Sequence, residues 1–132
     1  MSTRELVMLG TASQAPTRER NHNAAVLRWD GHSVLFDPGE GAQRQFAKAG
    51  LSVAAVDRVC ISHFHGDHCL GLPGVILRMA LDNGHLPVPI HYPASGERFF
   101  QRLCGASAGQ EELTVDARPI DTPGVIHSDG TF

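Results

Sequence analysis

A short histidine cluster constrains this chain more than any other feature. The segment HFHGDH places His63, His65, Asp67 and His68 within six residues, between a short apolar stretch and a helix-like run. In extended backbone, residues two apart point to the same side, so His63 and His65 can converge on one ion. Gly66 permits a sharp turn that brings Asp67 and His68 in from a new direction. The segment therefore predicts a metal site.

The donor set of this predicted site favours zinc. Imidazole nitrogens beside a carboxylate are the mixed nitrogen and oxygen ligands that borderline divalent ions prefer. The alternative is a coincidental surface patch of histidines, and random placement would give this four-residue pattern with a chance of roughly 2 × 10⁻³. We interpret four of the remaining histidines as structural, namely His22, His32, His85 and His127.

Other metal and nucleotide motifs do not occur in the chain. There is no HExxH, no paired CxxC and no deaminase pattern, and the glycine segment PGEGAQRQ lacks the remaining residues of a phosphate-binding loop. The three cysteines are odd in number and widely spaced, which argues against a disulfide framework or a zinc ribbon. We interpret Cys60 and Cys104 as free, mostly buried thiols. Cys69 follows His68 directly and could lie near a metal, but we do not count it among the ligands.

The first half of the chain predicts strands followed by a helix. A buried strand is expected at residues 6–9, and strands at 24–29 and 33–36 are joined by Asp30-Gly31, a strong hairpin signal. A helix over residues 41–49 is expected to end at Gly50. The second half predicts strands at 57–62, 88–92 and 113–118, a helix beginning near Pro73, and another capped by Ser95.

The order of these elements favours an α/β layered fold within one domain, residues 1–132. The chain is 42% hydrophobic and 19% charged with a net charge of −3, which is typical of a globular protein and does not indicate a strongly basic nucleic-acid-binding surface. No apolar run reaches the length of a membrane span, and the N-terminus lacks the pattern of a secretory signal. We therefore expect a cytoplasmic protein with no membrane partner.

The last residues raise a separate expectation. Ser128-Asp129-Gly130 is a turn signal, and Thr131 and Phe132 resemble the start of a further strand. We therefore expect the domain to be truncated at this point.

Four segments together resemble a known family. HFHGDH is similar to the HxHxDH signature of the metallo-β-lactamase superfamily. The segments LGTASQAPTRERN, FDPGEGAQRQ and GDHCLGLPG narrow the resemblance to ribonuclease Z, the tRNA 3′-processing endoribonuclease. The resemblance is strong over residues 9–74 and departs from the family at Ala42, where relatives commonly have threonine.

The resemblance implies a fold and an activity. The fold is an αββα sandwich, of which this chain would supply the N-terminal half. The activity is removal of the 3′ trailer from precursor tRNA by a homodimeric enzyme with two Zn²⁺ ions. His63 and His65 would bind one ion and Asp67 and His68 the other, and Asp67 would also accept a proton from the attacking water. Since the family's remaining ligands lie downstream, we expect residues 1–132 alone to bind metal weakly and to be nearly inactive.

Several alternatives stay open at this point. Asp37 is either a residue that holds a ligand histidine or a turn-forming aspartate before Pro38. The loop that carries Arg18 and Arg20 is either structural or close to a phosphate. The protein could also be another hydrolase of the superfamily, such as an arylsulfatase-like enzyme or a small phosphodiesterase, or a non-catalytic metal-binding fragment.

Overall fold

Six strands form one mixed sheet in which spatial order follows chain order. The structure is a computed structural model and describes residues 2–132. The first three strands pair antiparallel, and the third to sixth pair in parallel. The strands are β1 (Arg4–Gly10), β2 (Ala24–Trp29), β3 (His32–Phe36), β4 (Arg58–Cys60), β5 (Pro89–Pro93) and β6 (Asp116–Ile120).

The predicted hairpin forms between β2 and β3. Trp29 pairs with His32 across a two-residue turn, and Asp30 (φ 46°) and Gly31 (φ 99°) both adopt left-handed backbone. This combination is the one that a tight hairpin needs to match the twist of its strands.

Within residues 2–132, four α-helices accompany the sheet: α1 (Ala42–Lys48), α2 (Gly66–Cys69), α3 (Leu72–Leu81) and α4 (Glu97–Cys104). α1 and α3 confirm the predicted helices. The predicted cap at Ser95 is wrong, because a 3₁₀ turn at Ala94–Gly96 precedes α4 and Gly96 stands before its first residue without a side-chain cap. Among residues 2–132, no helix combines the length and apolar character needed to cross a membrane.

The core lies between the sheet and the layer of α1, α3 and α4. Val26, Leu35, Val59 and Ile90 are paired in register across four strands, and each is completely buried. They contact the apolar faces of the helices in one continuous cluster. Burying a side chain of this size stabilises the fold by about 1.5–3 kcal/mol, so this row anchors the strands that carry the candidate site.

The opposite face of the sheet is only partly covered. The C-terminal segment, residues 121–132, lies near the first residue of β3. There the Phe132 ring stacks on the His32 ring, with 5.2 Å between the ring centroids. Leu6 and Met8 on β1 remain more than half exposed. The predicted strand start at residues 131–132 is wrong, because the Asp129 carboxylate accepts the backbone N–H groups of both residues in a turn. The chain therefore contributes one α layer and one β layer.

Candidate metal centre

The histidine cluster lies at the carboxyl ends of two neighbouring parallel strands. Phe36, the last residue of β3, pairs with Cys60, the last residue of β4. Asp37 therefore emerges beside Ser62 and His63, although more than 20 residues separate them in the chain. Carboxyl ends of parallel strands are the usual place for binding sites in α/β sheets.

The structure brings the predicted ligands together. The His63 ring lies 4.8 Å from the His65 ring and 4.2 Å from the His68 ring, measured between centroids. Asp67 Oδ2 lies 3.3 Å from His68 Nε2, and the Asp67 side chain is 9% exposed. Extended backbone at His65 and the single turn of α2 produce this arrangement. Within residues 2–132, however, no three His, Cys, Asp or Glu side chains converge closely enough to hold an ion as they stand.

The Asp37 carboxylate organises the cluster. Asp37 Oδ2 accepts hydrogen bonds from His68 Nδ1 at 2.9 Å and from Ser62 Oγ at 2.7 Å. Asp37 Oδ1 accepts the backbone N–H of Ser62 at 2.7 Å. Since an ionised carboxylate only accepts, we infer that His68 Nδ1 carries a proton; in the neutral ring that a metal ligand requires, Nε2 would then present its lone pair toward Asp67. A cation between Nε2 and the Asp67 carboxylate would satisfy both acceptors.

Ser62 extends the same arrangement to a second histidine. Its hydroxyl donates its one proton to Asp37 and therefore accepts at His63 Nδ1, 2.9 Å away. His63 Nε2 is then left as a free donor atom for a metal. Two imidazoles that are fixed at Nδ1 and open at Nε2, beside a carboxylate, are donors that fit zinc. Ser62 was not among the predicted site residues, although it directly precedes the first histidine of the cluster.

Asp37 has both of the roles that the sequence left open, as a turn-forming aspartate and as a residue that holds a ligand histidine. Its backbone is left-handed (φ 51°), a conformation that aspartate tolerates better than most residues, and its N–H donates to Cys60 O at 2.9 Å. The residue therefore turns the chain after β3 and also holds a candidate ligand histidine.

Two glycines let the flanking segments pack backbone against backbone. A Cβ on Gly39 would lie 2.3 Å from the Asp67 carbonyl oxygen, and a Cβ on Gly71 would lie 2.0 Å from the Gly39 carbonyl oxygen. Larger residues would push these segments apart. The FDPGEG and GLPG segments thus fix the position of α2 and of the histidines that precede it.

The cysteines agree with their interpretation as free thiols. Cys69 is buried, and burial is the main reason that its pKa is raised to about 11, with the nearby Asp37 and Asp67 charges adding to the effect. Burial likewise raises the pKa of Cys60 to about 11. Without a bound metal, both thiols are therefore neutral at pH 7.

Polar contacts outside the cluster account for two of the other predicted structural histidines. His22 is buried with Nε2 3.2 Å from the Gln14 carbonyl oxygen, and His32 lies between Asp57 and Asp129. Arg18 and Arg20 are exposed on a tight turn, in which Thr17 N–H donates to the Arg20 carbonyl oxygen at 2.8 Å. The role of this loop stays a prediction.

Comparisons with known proteins agree with this geometry. The family described as Anti-Pycsar protein Apyc1 matches residues 4–114. The chain is 57% identical over 124 residues to ribonuclease Z of Salinispora arenicola and 56% identical over 126 residues to that of Nocardia farcinica. These alignments cover 94% and 96% of this chain but 40% and 41% of the relatives, so the chain spans about two fifths of their length.

Solved structures share the fold. Human tRNase Z, short form, superposes with a TM-score of 0.75 at 32% identity, over 86% of this chain and 43% of the human one. The metallo-β-lactamase fold protein YhfI of Bacillus subtilis gives 0.72 at 16% identity, over 88% and 46%. Zn²⁺-bound PqqB of Methylobacterium extorquens gives 0.58 at 15% identity, over 87% and 45%, a likeness of fold alone. The chain therefore belongs to the family described as Anti-Pycsar protein Apyc1, has the metallo-β-lactamase fold and is related in sequence to ribonuclease Z.

Proposed function

We propose that residues 1–132 form part of the catalytic domain of a zinc-dependent endoribonuclease that removes the 3′ trailer from precursor tRNA. The observation that supports this proposal is that Asp37 contacts His68 Nδ1 directly and His63 Nδ1 through Ser62, while His68 Nε2 lies 3.3 Å from the Asp67 carboxylate. The sequence relationship to ribonuclease Z supplies the substrate class.

The proposed ligands are the four residues of the cluster. His63 and His65 would hold one Zn²⁺, and Asp67 and His68 a second. Zinc supplies Lewis acidity, which lowers the pKa of water toward 7 and stabilises charge on phosphoryl oxygens. Asp37 keeps the proton of His68 on Nδ1 and fixes the ring orientation, which raises its basicity as a ligand.

Asp67 is the proposed general base. Its side chain is only 9% exposed and its Oδ2 lies 3.3 Å from His68 Nε2, so the carboxylate lies inside the cluster. A carboxylate in that position can hold the attacking water by a hydrogen bond and accept its proton as the phosphodiester is attacked. His68 and Asp37 would keep this carboxylate and its partners in place.

A chimera tests the proposal directly. The aligned part of Salinispora arenicola ribonuclease Z is replaced by residues 1–132, and the product is assayed on a precursor tRNA with a defined 3′ trailer. We expect zinc-dependent release of the trailer, and loss of at least a hundredfold in rate when Asp67→Asn is introduced. The matched control is Asp57→Asn, which removes a carboxylate outside the cluster.

Two outcomes would contradict the proposal. One is a folded, zinc-loaded chimera that leaves the precursor intact, and the other is unchanged cleavage by the Asp67→Asn chimera. The isolated chain, residues 1–132, is expected to bind zinc weakly and to cleave little, because it spans two fifths of its relatives. Efficient trailer removal by the isolated chain would overturn that part.

A hydrolase of small phosphodiesters is the second candidate. Such an enzyme of the same superfamily would use the same cluster, and the family match does not carry the ribonuclease Z name of the sequence relatives. The chimera assay is therefore run in parallel on a small aryl phosphodiester and an aryl sulfate. Faster turnover of either small substrate than of precursor tRNA would favour this candidate, and zinc binding without any turnover would favour a non-catalytic metal-binding role.

The proposal also includes a homodimer that acts in the cytoplasm. Both rest on the resemblance to ribonuclease Z. Light scattering of the purified chain tests the first, since a mass near 28 kDa, twice the 14.2 kDa chain, is expected. Fractionation of the producing cells tests the second.

A further inference from the structure

An aromatic cleft opens directly beside the histidine cluster. It has a volume of about 370 Å³. Its lining includes His63 and His65 of the cluster together with Phe64, Pro93, Gly96 and Phe99. A molecule bound at the two histidines would therefore extend into this cleft.

The Phe64 ring forms a fixed wall of the aromatic cleft. A Cβ on Gly96 would lie 2.2 Å from Phe64 Cδ2, so the ring rests on the Gly96 backbone. The Tyr92 ring meets it edge-on, with centroids 6.0 Å apart and an interplanar angle of 76°. Since Tyr92 is itself buried, Phe64 has little freedom to move.

The Phe99 ring is the exposed part of the same cleft. Its centroid lies 6.2 Å from that of Phe64, and the two planes are inclined by only 30°. Phe99 is 37% exposed, whereas the next residue, Phe100, is buried against Tyr92. α4 thus uses one phenylalanine for the core and presents the other to solvent beside the histidines.

Two arginine side chains lie over the Phe99 ring. The guanidinium carbons of Arg98 and Arg102 lie 4.7 Å and 5.8 Å from the centre of its ring, and both side chains are exposed. The neighbouring Glu97 is engaged elsewhere, because it accepts hydrogen bonds from Tyr92 Oη at 2.5 Å and from Gln101 Nε2 at 2.8 Å. The arginines are therefore placed to meet an anion at the rim of the cleft.

We propose that the aromatic cleft binds an unpaired nucleobase of the RNA next to the phosphate that is cleaved, with Arg98 and Arg102 contacting a neighbouring phosphate. This inference rests on the proposed endoribonuclease function. A flat apolar ring joined to a phosphate matches an aromatic wall with cations at its rim, and bases of unpaired RNA stack on aromatic side chains irrespective of sequence. Phe64 and Phe99 are thus substrate-positioning residues rather than parts of the metal site.

Fluorescence of a short single-stranded RNA tests this inference in the 132-residue chain. One base of the RNA is 2-aminopurine, whose emission is quenched when it stacks, and a matched RNA lacks that base. We expect quenching by the wild-type chain and a loss of affinity of roughly 5- to 150-fold for Phe99→Ala, the range that removal of one stacking interaction gives. Phe99→Trp should preserve binding. The matched control is Phe132→Ala, which removes an aromatic ring that stacks on His32 at the start of β3.

The arginines are tested by salt dependence. The double variant Arg98→Gln, Arg102→Gln should bind the RNA more weakly, and the slope of log affinity against log salt should fall by roughly 0.7 for each phosphate that the variant no longer neutralises. Arg28→Gln, on β2, serves as the charge control. An unchanged slope would remove the arginines from the proposal.

The inference is overturned if the abasic RNA competes with the 2-aminopurine RNA for the wild-type chain as well as a complete RNA does, or if Phe99→Ala quenches as the wild type does. Circular dichroism verifies folding of each variant, and Phe99→Leu, which keeps apolar packing without an aromatic ring, replaces Phe99→Ala if the latter does not fold. The endoribonuclease proposal and the base-site proposal can be refuted independently of each other. A chimera that cleaves no precursor tRNA while Phe99-dependent quenching persists refutes the endoribonuclease, whereas cleavage without that quenching refutes the base site.

Discussion

The carboxylate of Asp37 accepts a hydrogen bond from Nδ1 of His68 at 2.9 Å, although 31 residues separate them in the chain. The contact exists because β3 and β4 pair in parallel and end side by side. Sheet register therefore sets the orientation of a candidate ligand, and changes at Asp37 should act on metal binding rather than on folding.

Asp37→Asn tests this relationship. Asparagine tolerates the left-handed backbone at this position, so the fold should persist, but an amide is a weaker partner for Nδ1–H than a carboxylate. We expect zinc affinity to fall by roughly 10- to 100-fold, measured by competition with a chromophoric chelator. Asp57→Asn, which alters the carboxylate beside His32, should leave zinc affinity unchanged. Equal affinities in Asp37→Asn and the wild type would remove Asp37 from the site.

Ser62→Ala should have a smaller effect on zinc than Asp37→Asn. The substitution frees Nδ1 of His63 but leaves the contact between Asp37 and His68 in place. We expect a decrease in zinc affinity of roughly tenfold, the low end for a partner that orients a ligand, and partial recovery in Ser62→Thr, which restores a hydroxyl. Isothermal titration of the three proteins checks the order, and a larger loss in Ser62→Ala than in Asp37→Asn would contradict the proposed network.

Gly39→Ala should destabilise the chain. The new methyl group would lie 2.3 Å from the Asp67 carbonyl oxygen and 2.6 Å from that of Asn23, and backbone atoms cannot move away without displacing α2. We expect the free energy of unfolding to fall by about 1–3 kcal/mol, the usual cost of overpacking, measured by urea denaturation. Gly124→Ala is the matched control, because no atom lies within 4 Å of its added methyl group. Equal stability of the two variants would show that the close approach at Gly39 is unimportant.

His91 should make the stability of the chain depend on pH. Its pKa is lowered from the ordinary 6.5, first by burial and then by the positive charges of Arg58 and Arg118. Arg58 Nη1 lies 2.6 Å from His91 Nε2, which accepts its hydrogen bond only in the neutral ring. Below about pH 6.5 the unfolded chain therefore binds more protons than the native chain, so stability is complete above that pH and is lost as the pH falls.

Urea denaturation at pH 7.5 and at about pH 5.5 measures this effect. The difference in unfolding free energy between the two pH values should be smaller in His91→Gln than in the wild type. His85→Gln, which changes an exposed histidine, should keep the wild-type difference. If the difference is the same in all three proteins, His91 does not titrate with folding.

The sequence predicted those parts of the fold that depend on local patterns. The hairpin at Asp30-Gly31 and helices α1 and α3 follow from turn residues and apolar periodicity, and the structure confirms them. The start of α4 does not follow from local rules. Gly96 precedes that helix because the Phe64 ring occupies the space of its missing side chain, a contact between segments that are far apart in the chain.

In the candidate site too, some features could be predicted from local sequence and others could not. The HFHGDH cluster could be predicted because its donors are close together in the sequence. The structure places the three histidine rings of the cluster close together. The contribution of Ser62 depends on the register of β3 and β4, which motif spacing does not contain. The aromatic cleft was missed for a related reason, since Phe64 and Phe99 meet only after α4 packs on the sheet.

Zinc K-edge X-ray absorption of the zinc-loaded chain tests the central claim most directly, namely that the histidine cluster holds the metal. We predict imidazole nitrogens at about 2.0–2.1 Å from zinc, and a clear decrease in their number in the double variant His63→Asn, His68→Asn, which leaves His65 as the remaining proposed imidazole ligand. The His85→Asn spectrum should match that of the wild type. A wild-type spectrum without imidazole ligands, or one that survives the double substitution unchanged, would contradict the account.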